Sequence, residues 1–164
     1  MTDRPAPAHA ARSALATLLA AVGLLLTLAG CGPVEVRSAP PGSDLDGVRI
    51  DGDTLVLRVL VVNRNDVPLA LTGAALEVTL GSQTLEPQEW PLALVIGPRS
   101  REAVELRLAA SDAVLGAFEA LQRGERQPLA YELSGRWTSE GSRDGRIQRS
   151  GFLHPVPGRP GRFR

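Results

Sequence analysis

The sequence predicts an all-β chain, a single antiparallel β-sandwich with one short helix at about 111–123. Three observations carry this expectation. Apolar runs of strand length recur along the chain, Gly, Pro, Asn and Ser punctuate them at regular intervals, and only one stretch has convincing helical spacing.

Taken in order, Thr54 to Asn63 (TLVLRVLVVN) places Leu55, Leu57, Val59 and Val61 on one face and Val56, Leu60 and Val62 on the other, with Arg58 the exception. A β-branched run that is apolar on both faces implies a central strand covered on both sides, or one whose outer face is partly hidden by the helix. Ala74 to Leu80, Gly81-Ser82 and Gln83-Thr84-Leu85 read as a hairpin with a two-residue turn. Pro91 to Ile96 is another short strand, and Gly97-Pro98-Arg99-Ser100 supplies its turn. Val104, Leu106 and Leu108 then alternate with Glu105 and Arg107, the clearest half-buried strand of the chain. Ser111 or Asp112 can cap a helix carrying Val114, Leu115, Phe118 and Leu121, and Gly124 can end it. Leu129, Tyr131 and Leu133 start a strand running towards Trp137, a polar loop covers roughly 139–146, and Ile147 to Leu153 returns as its partner. Trp137 is expected in the core, because an aromatic-poor sandwich needs its volume; Trp90, close to Pro87 and Pro91, has no such assignment.

Residues 1–30 have the layout of a signal peptide. Arg4 and Arg12 precede an apolar run from Ala14 to Leu28 that contains seven leucines. Fifteen helical residues span only about 22 Å, short of the roughly 30 Å hydrocarbon core of a bilayer, which disfavours a lasting transmembrane anchor. Leu28-Ala29-Gly30-Cys31 resembles the bacterial lipobox, which implies diacylglycerol on the Cys31 thiol and Cys31 as the mature N-terminus. Three acyl chains at about 0.8 kcal/mol per buried CH₂ exceed the threshold for stable anchoring. Gly32 after the cysteine, rather than Asp, implies delivery to the outer membrane, with the domain on its inner leaflet facing the periplasm. The remaining boundaries follow from composition: 31–46 an acylated N-terminus and Pro/Gly-rich tether, 47–153 the sandwich, and 154–164 a Pro/Gly/Arg-rich tail.

Composition argues against most chemistry. The 164 residues carry 18 basic and 18 acidic side chains, and every basic residue is Arg. A zero net charge gives no electrostatic case for nucleic acid, and the lack of Lys removes Schiff-base and phosphate-cradling lysines. After loss of residues 1–30 the count is sixteen basic against seventeen acidic side chains, a net charge of −1. One Cys and two His are too few for a Cys/His zinc cluster. With Cys31 acylated, His154 would have to serve any Cys–His or Ser–His–Asp arrangement, and it lies in the tail with no G-x-S-x-G elbow upstream. Asp44, Asp46, Asp51 and Asp53 fall close together, but Val48 stands at the third ligand position of a D-x-D-x-D pattern and no Glu supplies the bidentate ligand. No catalytic residue, cofactor or metal site is therefore expected. Arg143, Arg146 and Arg149 are partly balanced by Glu140 and Asp144, whereas Arg159, Arg162 and Arg164 are less balanced and are candidates for a contact with anionic lipid or cell-wall phosphate.

From about Val48 to Leu153 the chain resembles the LEA type 2 (late embryogenesis abundant) family and its water stress and hypersensitive response (WHy) domain. The carriers are the strand Leu55 to Val62 running directly into Asn63-Arg64-Asn65-Asp66-Val67-Pro68-Leu69, the Gly73 to Leu80 strand, the Gly97-Pro98 turn, the 104–108 strand and the late helix. The family signature Asn-Pro-Asn appears here as Asn63-Arg64-Asn65, without its proline. Asn side chains bond to nearby backbone and tolerate a left-handed conformation, so Asn63, Asn65, Asp66 and Pro68 are expected to shape a turn rather than to hold a ligand. The resemblance implies an immunoglobulin/fibronectin-like sandwich and a non-enzymatic role in desiccation or water stress, through contacts with envelope membranes, envelope proteins or unfolded clients. The competing expectation is an accessory subunit that binds one specific protein partner in an envelope assembly, by strand addition or through the helix.

Overall fold

The computed structural model describes residues 39–164; the expected signal peptide, Cys31 and the first part of the expected tether lie outside the described residues. The strands are β1 (Gly42–Asp51), β2 (Thr54–Val62), β3 (Leu69–Leu80), β4 (Gln83–Thr84), β5 (Gln88–Ile96), β6 (Arg101–Ala109), β7 (Leu129–Glu140), β8 (Gly145–Leu153) and β9 (Arg162–Phe163), and helix α1 (Asp112–Gln122) lies between β6 and β7. They form two antiparallel sheets. The first has the order β6-β2-β1-β9. The second has the order β4-β3-β7-β8, with β5 paired to β3 beyond the stretch that β4 takes. Among the described residues the architecture is thus the expected all-β sandwich with one short helix.

The core lies between the sheets. Leu55, Leu57, Val59 and Val61 of β2 and Val104, Leu106 and Leu108 of β6 meet Leu69, Leu71, Leu76, Val78 and Leu80 of β3 and Leu133 and Trp137 of β7 in one buried cluster. Each such side chain contributes about 1.5–3 kcal/mol through burial, which makes this cluster the main source of stability. β2 is central, paired with β1 and β6. On its outward face Val56 is also buried, but it shares a groove with Val156 of the C-terminal segment rather than lying under the helix.

Helix α1 ends where its sequence signals place them. The Ser111 hydroxyl accepts a 3.4 Å bond from the Val114 amide, and Gly124 leaves the helix in the left-handed region at φ 74°. Its buried residues Val114, Phe118 and Leu121 join the core.

Both ends of the domain extend further than the sequence reading allows. The expected tether to residue 46 contains the first part of β1, with Pro41 and Ser43 buried. A bulge conceals this strand: the β1–β2 register shifts between Leu45 and Gly47, so Asp46 is an extra residue and Leu45 and Val48, three apart, both turn towards the core. The same device between Leu71 and Gly73 in β3 lets Leu71 and Ala74 both point inwards. The expected tail 154–164 is a docked hairpin. His154 and Arg164 exchange two backbone bonds of 2.8 and 2.9 Å, the Val156 amide donates to Arg162 at 2.9 Å, and the Ile50 amide donates to Gly161 at 2.9 Å. Phe163 is 2 % exposed, its ring centroid 4.6 Å from that of Phe118. The sequence hides this docking because one aromatic after a Pro/Gly-rich turn has no periodicity to read.

Candidate functional site

Asn63-Arg64-Asn65 and the residues after them close the junction between β2, β3 and the β5–β6 turn. Asn63 directly follows β2 and is 1 % exposed. Its Nδ2 is directed at three carbonyls, Val67 at 2.8 Å, Gly97 at 2.9 Å and Ile96 at 3.2 Å, while its Oδ1 accepts from the Asn65 amide at 3.0 Å. The Asn63 amide donates to Ser100 at 2.9 Å, so side chain and backbone both hold the β5–β6 turn. With both side-chain polar atoms occupied, Asn63 is a structural tie.

Asn65 faces the other way. Its Nδ2 donates to the Ala39 carbonyl at 2.9 Å and its Oδ1 accepts from the Ala39 amide at 2.7 Å, a two-bond clasp on the chain just before β1. Asp66 accepts two bonds from Arg99, from Nε at 2.7 Å and from Nη2 at 3.0 Å. The Arg99 guanidinium holds the Asp66 carboxyl below its ordinary range, mainly by hydrogen bonding and then by charge, and is itself raised for the same reasons. Arg99 has φ 51°, and among the described residues it is the one non-glycine with a positive φ. The Asp66 pair and a 3.0 Å bond from its amide to the Asn65 carbonyl hold it there. Pro68 is exposed and leads into β3. The structure thus brings Asn63, Asn65 and Asp66 together with Arg99, and leaves Pro68 as a strand lead-in.

The four aspartates considered for calcium part company. Asp44 faces Arg149 at 3.6 Å, Asp46 faces Arg58 at 3.1 Å, Asp51 takes Arg49 at 3.1 Å and Arg107 at 3.2 Å, and Asp53 accepts from the Thr54 hydroxyl at 3.2 Å. Arg49 and Arg107 hold the Asp51 carboxyl below its ordinary range, the bond from Arg49 contributing most. Trp137 is fully buried, and Trp90 is half-buried with its Nε1 donating to the Arg107 carbonyl at 3.2 Å, a bond from β5 to β6.

Arg159, Arg162 and Arg164 do converge, and they do so with two residues that sequence reasoning did not assign to a site. The C-terminal hairpin and the outward face of β1 and β2 enclose a groove of about 270 Å³. Arg49, Arg58, Arg159, Arg162 and Arg164 line it, against the carboxylates Asp46 and Glu105. Arg58 left a trace in the sequence as the lone charge in the β2 run; Arg49 left none, because its neighbours in the groove come from 110 residues later in the chain.

No family model matches the chain. The phenylalanine–tRNA ligase beta subunit of Thiobacillus denitrificans is 37 % identical over 116 residues, which is 70 % of this chain and 13 % of that protein. The chain therefore spans only that small share of the curated relative it matches. Among solved structures, an Arabidopsis thaliana protein determined in solution superimposes with a TM-score of 0.55 at 15 % identity, over 78 % of this chain and 91 % of that one. A second solution structure, of a protein provisionally described as late embryogenesis abundant (LEA), gives 0.43 at 10 % identity, over 88 % and 86 % of the two chains. The Arabidopsis likeness shows a shared β-sandwich fold.

Proposed function

We propose that this chain is a non-enzymatic lipoprotein of the bacterial envelope, acylated at Cys31, that protects membranes or partly unfolded envelope proteins when water is withdrawn. The observation that carries the anchoring is Leu28-Ala29-Gly30-Cys31 directly after a basic flank and the apolar run Ala14 to Leu28. Asn65 supports it from the structured side, because its clasp on Ala39 gives the sandwich a fixed point of departure eight residues after Cys31. Eight residues reach at most about 29 Å, so the domain would stand close above the lipid. The stress role rests on the sequence resemblance, now joined by a β-sandwich fold and by the local bond from the Asn65 amide to the Asn63 side chain.

Metabolic labelling with a fatty-acid analogue tests the anchor. Label on the wild-type chain and none on Cys31→Ala is the expected result; an unlabelled wild-type chain overturns the anchor. Survival of a deletion strain through drying and osmotic shock tests the role: reduced survival, restored by the wild-type gene, is expected, and survival equal to the parent removes it.

A specific observation favours a second reading, an accessory subunit with one protein partner. The edge strands β5 and β8 expose Val95 and Phe152 at 66 and 65 %, side chains that strand addition would cover. Crosslinking in membranes followed by affinity capture separates the two, one stoichiometric partner supporting the subunit and many weak clients the protectant.

A further inference from the structure

We infer that the groove between the C-terminal hairpin and the outward face of the first sheet is a binding site for a phosphate-bearing anion. The register places its residues on one surface. Arg162 of β9 lies opposite Arg49 of β1, Arg49 opposite Val56 of β2, and Val56 opposite Arg107 of β6; one step along, Gly47, Arg58 and Glu105 form the next row. Residues directly opposite in a ladder share a face, and this is the face turned away from the core. The hairpin brings Arg159 and Arg164 over it.

The charges in the groove do not balance. Five arginines stand against two carboxylates, a surplus of three positive charges. Asp46 is divided between Arg58 at 3.1 Å and Arg164 at 3.9 Å, and Arg49 shares Asp51 with Arg107. Among the described residues no carboxylate lies within 4.0 Å of Arg159 or Arg162, although each could carry a bidentate pair. Like charges gathered in a concavity repel one another, and an anion at their focus removes that cost. Guanidinium groups suit phosphate best, since their planar donors meet two oxygens at once.

The shape agrees with the charge. The floor is apolar and fixed, formed by Val56 at 2 % exposure together with Val156. Gly47, which also lines the groove, lets the hairpin seat close against β1, since a Cβ there would stand 2.9 Å from the Phe163 carbonyl oxygen. A volume of about 270 Å³ lies just under the roughly 300 Å³ at which sites for drug-sized ligands begin, which fits a phosphate with a few attached carbons and not a whole lipid. The shared chemistry is a phosphate mono- or diester, and it has two sources, a soluble phosphate or the headgroup of an anionic phospholipid. The lipid source rests on the anchoring proposed above, because a domain on so short a leash stays within reach of headgroups; anion binding itself does not depend on the anchor.

The full-length chain in neutral detergent micelles, followed by NMR of the arginine Nε–Hε groups, provides the test. Titration with inorganic phosphate should move the signals of Arg49, Arg58, Arg159 and Arg162 together. Arg159→Gln with Arg162→Gln should weaken phosphate binding about tenfold or more, whereas Arg143→Gln with Arg146→Gln, which removes the same charge from exposed positions on the second sheet's side, should leave it unchanged. Equal losses in the two variants, or no response of the wild-type groove, overturn the site. Micelles doped with phosphatidylglycerol or with phosphatidylcholine identify the source: a response to the anionic lipid that inorganic phosphate displaces supports a headgroup site, and a response to phosphate alone supports a site for a soluble anion. Fatty-acid labelling at Cys31 is scored independently, so a failed anchor and a failed groove remain distinct results.

Discussion

The indole Nε1 of Trp137 donates a 3.0 Å hydrogen bond to the Ser43 hydroxyl, and the bond joins the two sheets across 94 residues of sequence. Both residues are buried, Trp137 completely and Ser43 to 5 % exposure. Trp137 is the largest of the fully buried side chains, and a buried indole N–H needs a partner. Ser43, from a stretch whose composition reads as tether, supplies it.

Ser43→Ala leaves that N–H without an acceptor and is expected to cost about 1–3 kcal/mol. Urea unfolding should show the lower midpoint with an unchanged slope. A stability equal to the wild type would mean that Ser43 is not the partner of Trp137.

Asn63→Ala removes the two Nδ2 protons shared among the carbonyls of Val67, Ile96 and Gly97, and the acceptor of the Asn65 amide. The expected loss is about 3 kcal/mol or more. Asn63→Asp keeps the acceptor for the Asn65 amide but should recover little of the loss, because an ionised carboxylate has no proton to donate to the carbonyls. Thermal unfolding of both variants checks the pair.

Asp66 should titrate below its ordinary value of 3.8, because the Arg99 guanidinium bonds to the ionised form and attracts it. With the folded pKa below the unfolded one, this contribution to stability is fully present above 3.8 and is lost as pH falls through the folded value. Both groups are exposed, so the contribution is small. Carboxyl NMR should find Arg99→Gln returning Asp66 to the ordinary range, while Asp51, held down by Arg49 and Arg107, stays where it is.

Phe163→Ala empties the space beside Phe118 and is expected to cost about 3–5 kcal/mol. It should also speed amide exchange at Ile50, whose N–H is bonded to Gly161 in the same hairpin. Unchanged exchange there would show that the hairpin docks without its aromatic anchor.

Much of the architecture is legible locally. The alternation Val104, Leu106, Leu108 gives a half-buried strand that β6 reproduces, and Ser111 and Gly124 bracket the helix within a residue. Gly81 takes the hairpin turn at φ 61° between β3 and β4. Such features depend on neighbours in sequence, through pleat, capping and backbone conformation, so a short window contains their cause. The bond from the Asn65 amide to the Asn63 side chain is legible for the same reason.

By itself, the sequence determined that residues 47–153 form a sandwich with a helix between two of its strands, that the chain is poor in reactive side chains, and that residues 1–31 carry the pattern of a lipoprotein leader. Only the tertiary structure decided that residues 42–46 belong to β1, that the C-terminal hairpin is part of the fold, that Asn65 clasps Ala39, and that Arg49 and Arg58 share a groove with Arg159, Arg162 and Arg164. The physical reason is that bulges at Asp46 and Thr72 break the period of two that marks a strand, while a groove or a cross-sheet bond is made by residues whose separation along the chain carries no information about their separation in space.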